Sequence, residues 1–178
     1  MPSMLKLTVV AVALLLGACR SDPVHYHTLS PAQPMSQRHA QVDIRLEQVS
    51  VPPQVDRTQM VIRQGNSGLA ILETEWWGAS LADELRSSLE EQLSNPGAPK
   101  GLLRVDVQRF DSIPGQYARM DVQWRLRSPG NENPALICRS SLQTPAGNTI
   151  DDLVIAHQNN IRQFVDLVVR AVNLQACP

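Results

Sequence analysis

Catalytic and metal-binding side chains are scarce in this sequence. Its 178 residues include three cysteines and four histidines, and only 4% are aromatic. So few histidines and cysteines leave little from which to build a metal centre, and the aromatic shortage argues against a sugar-stacking platform. There is no Gly-Xaa-Ser-Xaa-Gly elbow to present a nucleophile and no Gly-Xaa4-Gly-Lys loop to cradle phosphate. His39 and His157 stand beside no serine or carboxylate in a catalytic pattern, and His157, on the last helical segment, is expected to be solvated or hydrogen-bonded. Lysine and arginine together number 16 against 17 acids, with no basic block, so nucleic acid is not an expected partner. The residues point to a protein that is not an enzyme and carries no cofactor and no metal.

Long apolar runs are also missing, with one short exception. Lys6 precedes an apolar stretch from Leu7 to Leu16, about half the roughly 20 residues that a membrane-spanning helix needs. A basic start, a short apolar core and small residues before a cut make a secretory signal. Leu16-Gly17-Ala18-Cys19 resembles a bacterial lipobox, which makes residues 1–18 the signal peptide and Cys19 the lipidated first residue, carrying acyl chains such as palmitate. Each buried methylene contributes about 0.8 kcal/mol, so several chains hold firmly. Arg20 rather than Asp follows the cysteine, which implies the outer membrane, facing the periplasm. Losing Lys6 brings the net charge from -1 to -1 - 1 = -2. Residues 19–40, rich in proline and serine, read as the lipidated N-terminus and a tether reaching tens of ångströms. Residues 41–178 read as a single domain. In an oxidising compartment a bridge between Cys138 and Cys177 is favoured over two free thiols, and it would tie the end of the last helix to a strand.

Periodicity supplies the elements. His25-Tyr26-His27 could be a short edge strand with both histidines on one face, where hydrogen bonding is expected rather than metal ligation. Val42, Ile44 and Leu46 alternate with polar residues until Val51-Pro52-Pro53. Met60–Arg63 and Leu69–Leu72 are two strands around the turn residues Gln64–Gly68. Ser80 is a plausible cap for a helix whose Leu81, Leu85, Leu89 and Leu93 form one stripe. Leu103, Val105 and Val107, then Ala118, Met120, Val122, Trp124 and Leu126, predict a hairpin, followed by a strand with Cys138. Val154, Ile161, Val165, Val168 and Val172 predict a final helix starting near Asp151. The expectation is an α+β fold of order β3-α-β3-α, a mostly antiparallel sheet with two amphipathic helices on one face.

Val49–Val61 carries a Val-Pro, Asp56-Arg57, Gln59 and then an apolar strand. Glu75-Trp76-Trp77-Gly78 follows, opening the helix that begins at Leu81, and Val105–Asp111 ends a strand in Arg-Phe-Asp. In this order, behind a lipobox, the chain resembles the auxiliary lipoproteins of ABC-type transporters over nearly its whole length. In that family an acidic residue and a proline often follow the tryptophan, where Ala79-Ser80 stand here. The resemblance implies a non-catalytic subunit of an MCE/ABC-type lipid transport system that maintains outer-membrane integrity. It further implies a homo-oligomer whose partners are an MCE-domain protein spanning the periplasm and its inner-membrane permease and ATPase. Asp56, Arg57, Gln59, Trp76 and Trp77 are candidates for the partner interface. A structural role for Asp56-Arg57 in fixing the loop after Pro53 stands beside that reading. One tryptophan is expected in the core and the other exposed. A lipid-binding carrier and an envelope scaffold are the alternative functions.

Overall fold

Backbone hydrogen bonding sorts the alternating segments into two sheets rather than one. The computed structural model describes residues 22–32, 42–98, 100–128 and 134–178, so Cys19 and the signal segment lie outside the described residues. In chain order the elements are β1 (His25–His27), β2 (Asp43–Ser50), β3 (Gln59–Gln64), β4 (Gly68–Trp77), α1 (Leu81–Leu93), β5 (Lys100–Ile113), β6 (Tyr117–Arg127), β7 (Leu136–Pro145) and α2 (Ile150–Leu174). The class is α+β, but four strands precede α1 instead of three. The sheets are mixed: β1-β4-β3 form one, with β1 parallel to β4, and β2-β5-β6-β7 form the other, with β2 parallel to β5. The remaining pairs are antiparallel.

This arrangement corrects the single-sheet expectation, and the chain chemistry explains it. Pro52-Pro53 and the following loop prevent β2 from folding back directly on β3. A parallel partner needs a crossover of a dozen or more residues, and β3, β4 and α1 supply one before β5 arrives beside β2.

One face of the four-stranded sheet makes the core. Leu103, Val105, Val107, Met120, Val122, Trp124 and Leu126 are all buried on it. Both helices lie over that face, α1 against β2 and α2 against β6 and β7. Ser80 caps α1 by accepting from Asp83 N, and the stripe of Leu81, Leu85, Leu89 and Leu93 is buried throughout. Each of those leucines is worth about 1.5–3 kcal/mol when removed from water. Thr149 and Asp152 close a capping box on α2, and Phe164 meets Trp124 edge to face at 5.7 Å. Val154, Ile161 and Val168 are buried, while Val165 and Val172 sit half-buried at the rim. Past α2, Cys177 is joined to Cys138 of β7, with Cα atoms 5.6 Å apart.

The folded domain also begins earlier than residue 41. β1 is paired into the first sheet, and Leu29 behind it has no exposed surface. Residues 25–30 therefore belong to the domain and not to the tether.

Candidate functional site

The candidate interface residues converge at one corner, where the loop after β2 meets the end of β4 and the start of α1. The loop turns on itself as Val55 N and Asp56 N donate to Pro52 O at 3.0 and 3.2 Å. Asp56 Oδ1 then accepts from Ala82 N at 3.3 Å, placing its negative charge against the positive end of the helix dipole beside the Ser80 cap. Asp56 is thus a helix cap. Arg57 is half-buried and its Nε has no hydrogen-bond partner among the described residues. Gln59 opens β3 opposite Trp76 in the ladder, so these two side chains neighbour each other.

The two tryptophans divide between inside and outside, though less sharply than expected. Trp77 is 2% exposed and belongs to the core; its backbone N–H donates to Thr58 O at 2.7 Å. Trp76 is half-buried, with its indole N–H donating to Glu73 O at 2.9 Å. The aromatic that stands out in solvent is Tyr26 of β1, 68% exposed and edge-on to Trp76 at 6.3 Å. The Trp-Trp pair ends a strand rather than opening the helix.

β1 reaches this corner through polar clamps; the sequence offers His25 and His27 as hydrogen-bonding residues but not their partner Glu75, nor Glu84 and Ser88. His25 Nδ1 and His27 Nε2 bond to opposite oxygens of Glu75 at 3.1 and 2.6 Å. The His27 bond is the main reason the Glu75 carboxyl lies below its ordinary range, against a smaller upward pull from burial. No group of three or more potential metal ligands is found among the described residues. Glu84 of α1, itself buried, accepts from Leu29 N at 2.9 Å and from the Thr28 hydroxyl at 2.8 Å. Ser88, one turn further on, donates to Leu29 O at 3.0 Å. Gly78 lets the chain pass here, since a Cβ on it would stand 2.9 Å from Glu84 Oε1. The missed signal was positional: Glu84 and Ser88 fall three and seven residues after Leu81, on the edge of the leucine stripe.

Away from this corner, His157 and Asp111 are also buried. His157 is 1% exposed rather than solvated, stacks on Phe110 at 3.9 Å and shares a 2.9 Å hydrogen bond with Ser112. Its Nδ1 has no hydrogen-bond partner among the described residues. Asp111, from the Arg-Phe-Asp stretch, accepts from Arg63 of the other sheet at 2.8 and 3.0 Å and is also paired with Arg109. That buried carboxylate rivets the two sheets together. A hollow between β6, β7 and α2, lined by Leu126, Leu136, Ala171 and Val172, measures about 190 Å³. Pockets for small ligands start at roughly 300 Å³.

Comparison with known proteins follows the fold. The family model for the ABC-type transport auxiliary lipoprotein component matches residues 27–169. No curated protein matches the sequence. Among solved structures, the crystal structure of an uncharacterized protein is similar at TM-score 0.66 and 20% identity, covering 85% of this chain and 99% of that one. A Xanthomonas campestris protein of the DUF330 family is similar at TM-score 0.59 and 16% identity, covering 83% of this chain and 94% of that one. At these identities the structural likenesses establish the fold alone.

Proposed function

We propose that this chain, which belongs to the family of ABC-type transport auxiliary lipoprotein components, is a non-catalytic, lipid-anchored subunit of an MCE-type lipid transport system. It works at the outer membrane, facing the periplasm, where it helps maintain membrane integrity. The observation that carries this reading is the family match over residues 27–169, which spans the fold from β1 into α2. Cys19 is the lipid attachment point. The ATPase and permease are partner chains at the inner membrane, and an MCE-domain protein bridges the periplasm to this subunit, which acts as a homo-oligomer.

The docked β1 changes the mechanics of the anchor. His25 lies six residues after Cys19, a distance of at most about 20 Å of extended chain. The domain therefore rides close to the lipid surface instead of swinging on a long tether. The exposed Tyr26 and the half-buried Trp76 and Gln59 are the side chains offered to a partner, with Trp77 in the core behind them.

A pull-down of the full lipoprotein from detergent-solubilised envelope, with mass spectrometry and a native mass, tests the proposal. An MCE-domain protein should be recovered with a bait heavier than a monomer. A monomeric bait carrying lipid and no such protein would replace this reading with a carrier. Sedimentation with the cell wall would replace it with a scaffold.

A further inference from the structure

The face of the four-stranded sheet opposite the helices is uncovered, and its charges are poorly matched. Arg104 of β5 stands directly opposite Arg125 of β6, and Arg139 of β7 lies in the next rung, opposite Gln123. All three are exposed, and among the described residues none takes a carboxylate within ion-pair distance. Like charges directly opposite across strands destabilise a sheet. Their neighbours do find partners: Arg127 pairs with Glu47 at 3.0 Å, and Arg119 with Asp121 at 3.0 Å. The unmatched arginines rim two shallow depressions, of about 210 and 540 Å³, lined by Asp106, Gln123, Ser141 and the exposed Ile137.

The opposite violation lies on the other side of the molecule. Helix α1 covers the inner face of the same sheet, so its solvent side points away from the arginines. Glu90 and Glu91 are exposed in its last turn, which holds no basic residue. Carboxylates there face the negative end of the helix dipole, an unfavourable placement. Among the described residues only Glu90 of the two has a cation, Arg86 at 3.4 Å.

We propose that these two surfaces are made for each other: the arginine face of one copy docks on the outer face of α1 of the next. The contact sets Arg104, Arg125 and Arg139 against Glu90 and Glu91, with the exposed Ile137 of the edge strand adding apolar contact at its margin. Each side supplies the charge that the other lacks, so one contact relieves both local conflicts. A mixed rather than uniformly basic surface also suits a protein partner better than a sheet of lipid phosphates, since interspersed charges set register. Because the two surfaces lie on opposite sides of the domain, the contact is head-to-tail, the type that closes a ring or extends a filament. The proposal rests on the homo-oligomer of the proposed function and names the surfaces that build it.

Charge exchange tests it. The full lipoprotein in detergent is measured by native mass at low and high salt, together with an R104E/R125E/R139E variant and an E90K/E91K variant. Wild type should be oligomeric and should dissociate as salt rises, since exposed charges are screened. Each variant alone should be monomeric, its dissociation constant raised roughly 100-fold or more by like charges meeting in the contact. An equimolar mixture should assemble again, because each reversed face then meets its complement on the other variant; that recovery also shows that both variants fold. A wild-type oligomer that both variants retain would overturn this contact while leaving the subunit reading intact. The same holds for variants that stay monomeric when mixed. A monomeric wild type at low salt would overturn the oligomer and the contact together.

Discussion

An imidazole sealed in a dry core is costly to charge, and His157 shows the effect. Burial of this α2 residue against Phe110 pushes it down to about 3, with the charge of Asp111 a smaller opposing influence. An unfolded histidine titrates near about 6.5. The folded value is the lower one, so the unfolded chain binds the extra proton. Stability is then complete above about pH 6.5 and falls as pH drops toward the folded value. Between pH 7.5 and 5 the loss is about 2 kcal/mol. Denaturant titrations of wild type and His157→Gln at those two pH values should show that loss only in wild type. The glutamine variant starts lower by about 1–3 kcal/mol, since Ser112 loses its partner. Equal pH slopes in the two proteins would rule the histidine out. Glu75, Asp121 and Asp152 do not confuse this window. Their folded values are lowered, through His27 at Glu75 and Thr149 at Asp152. At Asp121, burial works against the charge, but the Ser141 and Arg119 hydrogen bonds outweigh it. What they contribute is present above the ordinary carboxylate range and is lost only as pH falls below it. The position of His157 was legible after the fact, because it sits four residues from both Leu153 and Ile161 on the buried stripe. Its polarity disguised it.

Among the elements, β5 carries most of the organisation. It pairs with β2 on one side and β6 on the other, and the irregularity between Val107 and Arg109 shifts the phase of its side chains. Phe110 then continues the core, and Asp111 turns toward β3. A strict alternation extended from Leu103 would have put Phe110 on the outer face; the extra residue is what rotates it inward. Asp111→Ala should destabilise the protein by about 3 kcal/mol, because it strips two arginines of a buried carboxylate. Since Arg63 is the link to β3, hydrogen exchange in the variant should lose protection first in β3 and β4, with β6 and β7 unaffected. Uniform loss across both sheets would show that the pair does not join them.

At the scale of the whole molecule, the two ends of the domain are fastened by different means. The start is held by Glu84, Ser88 and the Glu75–histidine clamp; the end is held by the Cys138–Cys177 bridge, which closes a 39-residue separation. Loop closure of that size is worth about 3–4 kcal/mol through the unfolded chain. Reduction, or the double change Cys138→Ser and Cys177→Ser, should lower Tm by roughly 10 °C for a domain of this length. An unchanged Tm would mean that the packing of α2 holds the terminus without the bridge.

Much was decided by the sequence alone. The leucine stripe of α1, the alternation of β6, the Ser80 cap and the hairpin turn around Gly65 all reappear as elements. These signals act over a few residues, where side-chain period and cap chemistry leave the backbone little choice. The tertiary structure decided which strands are neighbours. β2 lies beside β5 rather than β3, β1 is drawn into a sheet by β4, and Arg63 finds Asp111 across 48 residues. Those outcomes depend on which apolar faces can be covered together and which buried charges can be paired. That is a property of the whole packed chain, and no local window contains it.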